Sequence, residues 1–194
     1  MAESGKLIAL EAIDGIAVAR LAEELCRWIR EHGMAVEHTR EPTYGPAGTL
    51  LLLAQQGRLT FDAASLALLH LADRLDHEQR VDGIGAWRAS GRHVVCTHYR
   101  LAADARLCGQ VEWDWLQRID ALSCTPDLTL YVDFPVPETR QESLRAGYYA
   151  AIQRLWNEGQ EIYVIDGAAA PEHLYLACKK HLACLLGLEL SRPQ

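Results

Sequence analysis

The sequence predicts an α/β fold, a parallel β-sheet covered by helices on both faces, and two observations carry that prediction. Short apolar runs alternate with longer stretches of helical spacing along the chain, the pattern left by repeated strand-helix-strand units. The first run, Lys6 to Glu11, turns at Asp14-Gly15 and passes straight into a helix-forming stretch, which is the outline of a phosphate-binding loop. With 194 residues and 49% apolar content, the chain is long enough for one well-cored domain and short for two. A single domain over residues 1–194 is expected.

In chain order, a strand at Leu7 to Leu10 leads into a helix near Val18 to His32, which Gly33 stops. A strand at Ala35 to Thr39 precedes helices at Ala47 to Gln55 and Phe61 to Arg88. The third strand, His93 to Thr97, and the fourth, Leu128 to Val132, are separated by a helix at Trp113 to Leu122. Trp113, Trp115 and Leu116 of that helix are expected to cover the sheet. A helix from Glu138 to Glu158 ends at Gly159; a strand at Ile162 to Ile165 and a helix at Pro171 to Leu186 complete the chain. No internal repeat, low-complexity tract or linker interrupts this order.

The formal net charge of −7 removes the broad electrostatic attraction on which nucleic-acid and anionic-membrane binding rest. No apolar run approaches the ~20 residues needed to span a bilayer, and the start "MAESGKL" has no apolar signal core, so a cytoplasmic protein is expected, with neither nucleic acid nor membrane as partner. The six cysteines include no C-x-x-C pair and read as reduced, structural thiols. His70 and His77, seven apart on one predicted helix, lack a third placed ligand, so no metal is assigned. Cys96 and His98 bracket Thr97 at a strand end, where core packing is the simpler reading than a nucleophile.

In open α/β sheets ligands bind beyond the carboxyl ends of the strands, so the segments there carry the function. The first reads Ala12-Ile13-Asp14-Gly15-Ile16-Ala17-Val18-Ala19 where a Walker-type loop reads G-x-x-x-x-G-K-[ST]. The others read "TREPTYGPAG" (Thr39 to Gly48), "ADRLDH" (Ala72 to His77), "THYR" (Thr97 to Arg100) and "PDLTLYVDFP" (Pro126 to Pro135).

Taken together, at these separations, the segments resemble the thymidylate kinase family, whose members carry E-G-x-D-G-x-G-K-[ST], T-R-E-P, A-D-R, D-R-Y and P-D-L-T-x-x-L-D at matching places. The resemblance reaches to about residue 167. It implies a P-loop NTPase-like three-layer α/β/α sandwich with a five-stranded parallel sheet in the order 2-3-1-4-5. It also implies that the loop after strand one and a lid after strand four clamp ATP, while the T-R-E-P and A-D-R arginines lie on the monophosphate side. Residue by residue, Arg40 and Arg74 would face the acceptor phosphate and sugar, with Asp14, Gly15 and Glu41 alongside. The base-stacking Phe of the family falls on His70, the Tyr of D-R-Y on Tyr99, its Arg on His98 and its Asp on Thr97. The segment S-S-x-A-Y-Q falls on Ala102-Ala103-Asp104-Ala105-Arg106-Leu107.

The donor side departs furthest from that pattern. Val18 stands in place of the Lys, Ala19 in place of the Mg²⁺-ligating Ser or Thr, and Ala17 in place of a Gly. The only lysines are Lys6, at the opposite end of strand one, and Lys179 and Lys180 in the last helix. Arg20 is the one nearby cation, and its forked guanidinium does not fill a lysine's place. Pro135 to Tyr148 passes directly through "VPETRQESLRAGY", without the Arg-rich lid. Phosphoryl transfer is mostly positioning and electrostatic stabilisation by such groups. The leading expectation is therefore a thymidylate kinase-like protein that has lost phosphoryl transfer, with no cofactor, and that keeps an acceptor-side phosphate or nucleoside monophosphate site. The alternatives are a weak or altered nucleoside monophosphate kinase (dTMP + ATP to dTDP + ADP), which alone would need Mg²⁺ and ATP, and a dimeric scaffold for a protein partner. A homodimer is expected because the resembled family pairs through helices and "LALLHLADRL" is too apolar for a fully solvated surface. Arg40, Arg74 and Asp14 fit either a working anion site or a structural network beneath the strand ends, with Asp14 and Glu41 as its carboxylates.

Overall fold

A computed structural model describes residues 4–135 and 139–190. Five strands, β1 (Leu7–Ala12), β2 (Val36–Arg40), β3 (His93–Thr97), β4 (Leu128–Asp133) and β5 (Ile162–Asp166), form one parallel sheet in the order β2-β3-β1-β4-β5. This is the order the resemblance implies. Every residue of β1 is buried, as befits a central parallel strand covered on both faces.

Alternation along the strands divides the core. Ile8, Leu10, Ala12, Val95, Leu130 and Val132 pack with Leu21, Leu25 and Ile29 of α1 (Gly15–Glu31) and Cys178 and Leu182 of α8 (Pro171–Leu186). On the other face Leu7, Ala9, Val94 and Cys96 meet Ile84 of α4 (Ile84–Ala89) and Tyr99. Further along that face, Tyr131 meets α5 (Arg100–Leu107) through Leu101, Ala102 and Ala105, and α7 (Thr139–Asn157) through Tyr148, Ala151, Ile152 and Leu155. Glu11 shares the parity of Leu7 and Ala9 and is carried into this second layer, fully buried.

The remaining helices are α2 (Pro46–Gln55), α3 (Ala63–Gln79) and α6 (Trp113–Asp120). The helix expected over Phe61 to Arg88 is two: Arg80 leaves α3 in an extended conformation, and Gly83 starts α4 where an added Cβ would lie 2.1 Å from the carbonyl oxygen of His77. Helix α5 has no counterpart in the sequence reading, because all its residues except Arg106 are buried and it shows no polar stripe. Leu116, Trp113 and Trp115 cluster with Ala67 of α3 and Leu107 of α5, and Trp113 also packs against the cluster that holds Tyr131 of β4 and Ile162 of β5. The first residue of the helix expected from Glu138, and with residues 136–138 part of the lid-free passage, lie outside the described residues, as does the extreme amino terminus. All six cysteines are free, with Cys26, Cys96 and Cys178 buried. Among the described residues no helix is long and apolar enough to cross a membrane.

Candidate functional site

The carboxyl ends of β1 to β4 border a cleft of about 650 Å³. Asp14, Gly15 and Ala19 line it from the turn into α1, Arg40 and Glu41 from the end of β2, Thr97 and His98 from the end of β3, His70 from α3, and Ala102 and Arg106 from α5. Ala102 and Arg106 reach it together because residues four apart share one face of a helix.

At the head of α1, Asp14 is the N-cap, and its Oδ1 accepts the backbone N–H groups of Ile16 and Ala17, each at 2.9 Å. The Val18 N–H closes the first turn on the Asp14 carbonyl at 3.1 Å. The unpaired N–H groups of a helix start are what makes it an anion site; here a carboxylate of the chain itself already occupies two of them. Val18, at the lysine position, has 0% exposure and packs among Leu21, Ala22 and Leu25 in the core. Ala19 offers the cleft only a methyl group. Gly15 keeps this turn close to the end of β3, since a Cβ there would lie 3.3 Å from His98 Nε2.

Beyond β2 the polar groups sort into two sets. Arg40, the last residue of β2, is exposed, with its guanidinium 5.5 Å from the centre of the Tyr44 ring. Glu41 turns inward: Oε2 accepts from Arg74 Nε at 3.3 Å, and Oε1 lies 3.2 Å from His77 Nδ1, whose other nitrogen is 2.8 Å from Thr39 Oγ1. Arg74 is wholly buried, donates from Nη1 to Asp120 at 2.9 Å and lies 4.8 Å from the centre of the Tyr99 ring. Arg100 extends the network to Asp120 at 3.3 Å and Asp104 at 3.7 Å. Burial works against the Arg74 charge, and Glu41 and Asp120 outweigh it, holding the guanidinium above its ordinary pKa. Buried charges survive in a fold when they are paired in this way.

Of the residues named from the sequence, Asp14, Gly15, Arg40, Glu41 and His70 line the cleft, whereas Arg74 and Tyr99 do not. Tyr99 is buried, donating to the Cys124 carbonyl at 2.9 Å and to Glu78. The carboxylates that hold Arg74 are Glu41 and Asp120; Asp14 is engaged with its own helix instead. His70 is kept neutral, its pKa pushed down to about 3 by burial and then by the charges of Arg74 and Arg106. His98 stands in the left-handed region at φ 57°. Burial, then Arg106 and Arg40, lower its pKa to about 4. His70 and His77 do not converge on one point: His70 lines the cleft while His77 joins Glu41. Glu41, His77 and Cys96 do present ligand atoms within 4.8 Å of one another. That carboxylate is already shared with Arg74, whose charge opposes a cation there.

Sequence reasoning missed Arg106. The motif that falls on this segment carries no sign of the helix Arg100–Leu107, which is what brings the Arg106 side chain to the strand ends.

The chain matches the thymidylate kinase family model over residues 10–162. It is 29% identical over 159 residues to a probable thymidylate kinase of Pyrococcus abyssi, covering 78% of this chain and 76% of that one. It is 32% identical over 186 residues to a thymidylate kinase of Parasynechococcus marenigrum, covering 86% and 84%. The crystal structure of thymidylate kinase from Ehrlichia chaffeensis superposes with a TM-score of 0.73 at 17% identity, over 92% of this chain and 99% of that one, a likeness of fold.

Proposed function

The chain belongs to the thymidylate kinase family, and from that premise we propose that it binds a nucleoside monophosphate in the cleft at the strand ends without transferring a phosphoryl group to it from ATP. The observation that carries this reading is the head of α1. Val18 points into the core where the reaction wants a lysine, and the Asp14 carboxylate holds the N–H groups of Ile16 and Ala17. A triphosphate meets an anion there instead of donors. The acceptor side, by contrast, keeps exposed Arg40 in the cleft, and guanidinium groups grip phosphate bidentately. On this reading the protein is a cytoplasmic homodimer.

The test is a direct one: purified protein with Mg²⁺, ATP and dTMP, followed for dTDP, in parallel with calorimetry of dTMP and of ATP. The expected result is dTMP binding stronger than ATP binding and no dTDP. Turnover near the ~1–100 per second of ordinary kinases, in a preparation free of host enzyme, would overturn it. A weak or altered kinase is the second reading. In its favour stand the cleft's own cations, Arg40 and Arg106, which could bear on a transferring phosphoryl group.

A further inference from the structure

The cations free to meet a ligand in this cleft are not the pair that the family pattern supplies. Arg74 is committed to Glu41 and Asp120 and lies behind the lining. Arg106, near the carboxyl end of α5, is exposed, lines the cleft, and makes no ion pair with a described residue. Among the described residues Arg40 has only the face of Tyr44 as a partner. The two guanidinium groups come from different elements, β2 and α5, yet line one cleft together with His98. The backbone of His98 is fixed in the left-handed region by its main-chain N–H, which donates to the Leu10 carbonyl at 3.2 Å, and this sets the imidazole beside Gly15. Among the described residues, neither carboxylate of the cleft forms an ion pair with Arg40 or Arg106. Asp14 is spent on the N–H groups of α1, and Glu41 on Arg74 and His77.

Two like charges lining one cleft repel one another, and an anion between them removes the repulsion. We infer that Arg40 and Arg106, with His98, form the phosphate-binding group of this cleft, and that its ligand is a phosphomonoester held by both guanidinium groups at once. The arginine missing at position 98 is thus replaced from α5, eight positions along the chain. Neutral His98 adds one N–H donor, while Arg74 acts only by fixing Glu41 and so the end of β2. This inference rests on the monophosphate reading above and names the residues that serve it.

Inorganic phosphate and dTMP, titrated by calorimetry into the wild-type chain and into Arg106→Ala, Arg106→Lys and Arg40→Ala, form the test. Imidazole ¹⁵N resonances of His98 supply a second readout. Arg106→Ala should weaken both probes roughly tenfold to a hundredfold, the usual weight of charge-assisted contacts, with Arg106→Lys between it and the wild type. Phosphate should shift the His98 resonances in the wild type and not in Arg106→Ala. Phosphate that binds through Arg106 while dTMP does not bind would uphold this inference and overturn the nucleotide reading. Binding of dTMP indifferent to Arg106 would do the reverse, and a wild-type chain that binds neither probe would overturn both. Because Arg106 is exposed, its variants are expected to fold, and an unchanged melting curve confirms that any lost binding is local.

Discussion

The Asp14 carboxylate accepts the backbone N–H of Ala17 at 2.9 Å, and one residue further on Val18 has no exposed surface. Cap and core together fix the first turn of α1 in an orientation that carries position 18 away from the cleft. Replacing the missing lysine should therefore not restore a donor site. Val18→Lys should leave ATP binding unchanged and lower stability by at least ~2 kcal/mol, because it buries an unpaired ammonium among Leu21, Ala22 and Leu25. Denaturant titration and ATP calorimetry on the same preparation check both halves, and tighter ATP binding by the variant would refute the account of this turn.

Asp14→Ala separates the cap from the core. It should cost about 1 kcal/mol, the usual value of an N-cap, and release the Ile16 and Ala17 N–H groups to an anion. ATP or inorganic phosphate should then bind more tightly than to the wild type, measured by calorimetry at matched ionic strength.

Arg74 and Arg106 should part company on mutation. Arg74→Met removes the guanidinium that buried Glu41 and Asp120 share, leaving Asp120 to Arg100 alone, and should destabilise by ~3–5 kcal/mol. Arg106→Ala should change stability by no more than ~0.5 kcal/mol, as exposed substitutions do. Equal losses in denaturation would contradict the division between structural and ligand-facing arginines.

The sheet was legible in the sequence because β1, β3, β4 and β5 are short apolar runs, with β2, Val36-Glu37-His38-Thr39-Arg40, the polar exception, and the run-helix alternation admits few topologies. Its order came through the strand-end motifs and not through periodicity. The site was legible where a motif marks a strand end, at Asp14, Gly15, Arg40 and Glu41. It was not legible at Arg74, which the sequence left open between an anion site and a structural network: its partner Asp120 lies 46 residues away on a helix the motifs do not mention. Arg106 escaped for a related reason. Helix α5 is buried on nearly every side, so the hydrophobic period that reveals an amphipathic helix is absent from it.

Glu11 makes stability depend on pH. Burial first, opposed by Arg74 and reinforced by Glu41, raises its pKa from 4.5 to about 8. Between those values the folded chain holds a proton that the unfolded chain has released, so stability falls as pH rises through this window and levels off above about 8. The term amounts to roughly 4 to 5 kcal/mol at most. Neutral His70 and His98 act oppositely, costing stability as pH falls below the ordinary histidine value. Comparison with Glu11→Gln isolates the first effect: the variant should gain on the wild type steadily between pH 5 and pH 8 in denaturant titrations. A constant difference across that range would show that Glu11 is ionised in the folded chain.

The homodimer is testable through α3. Its apolar sequence divides by face: Ala67 and Leu71 are buried, at 2% and 7% exposure, while Leu68 remains 51% exposed. Leu50 of α2, the helix packed beside it, is 37% exposed. Isolated exposed leucines are ordinary on a monomer, but two on neighbouring helices suit a helix-to-helix interface, where a buried charge is poorly tolerated. Light scattering at micromolar concentration should give about twice the 21.6 kDa of one chain. Leu68→Glu should return the mass to 21.6 kDa with little change in the melting curve at low concentration, since Leu68 lies outside the buried core of the single chain. A wild-type chain that scatters as a monomer would remove the dimer. A dimer that survives Leu68→Glu would move the interface off this face of α3.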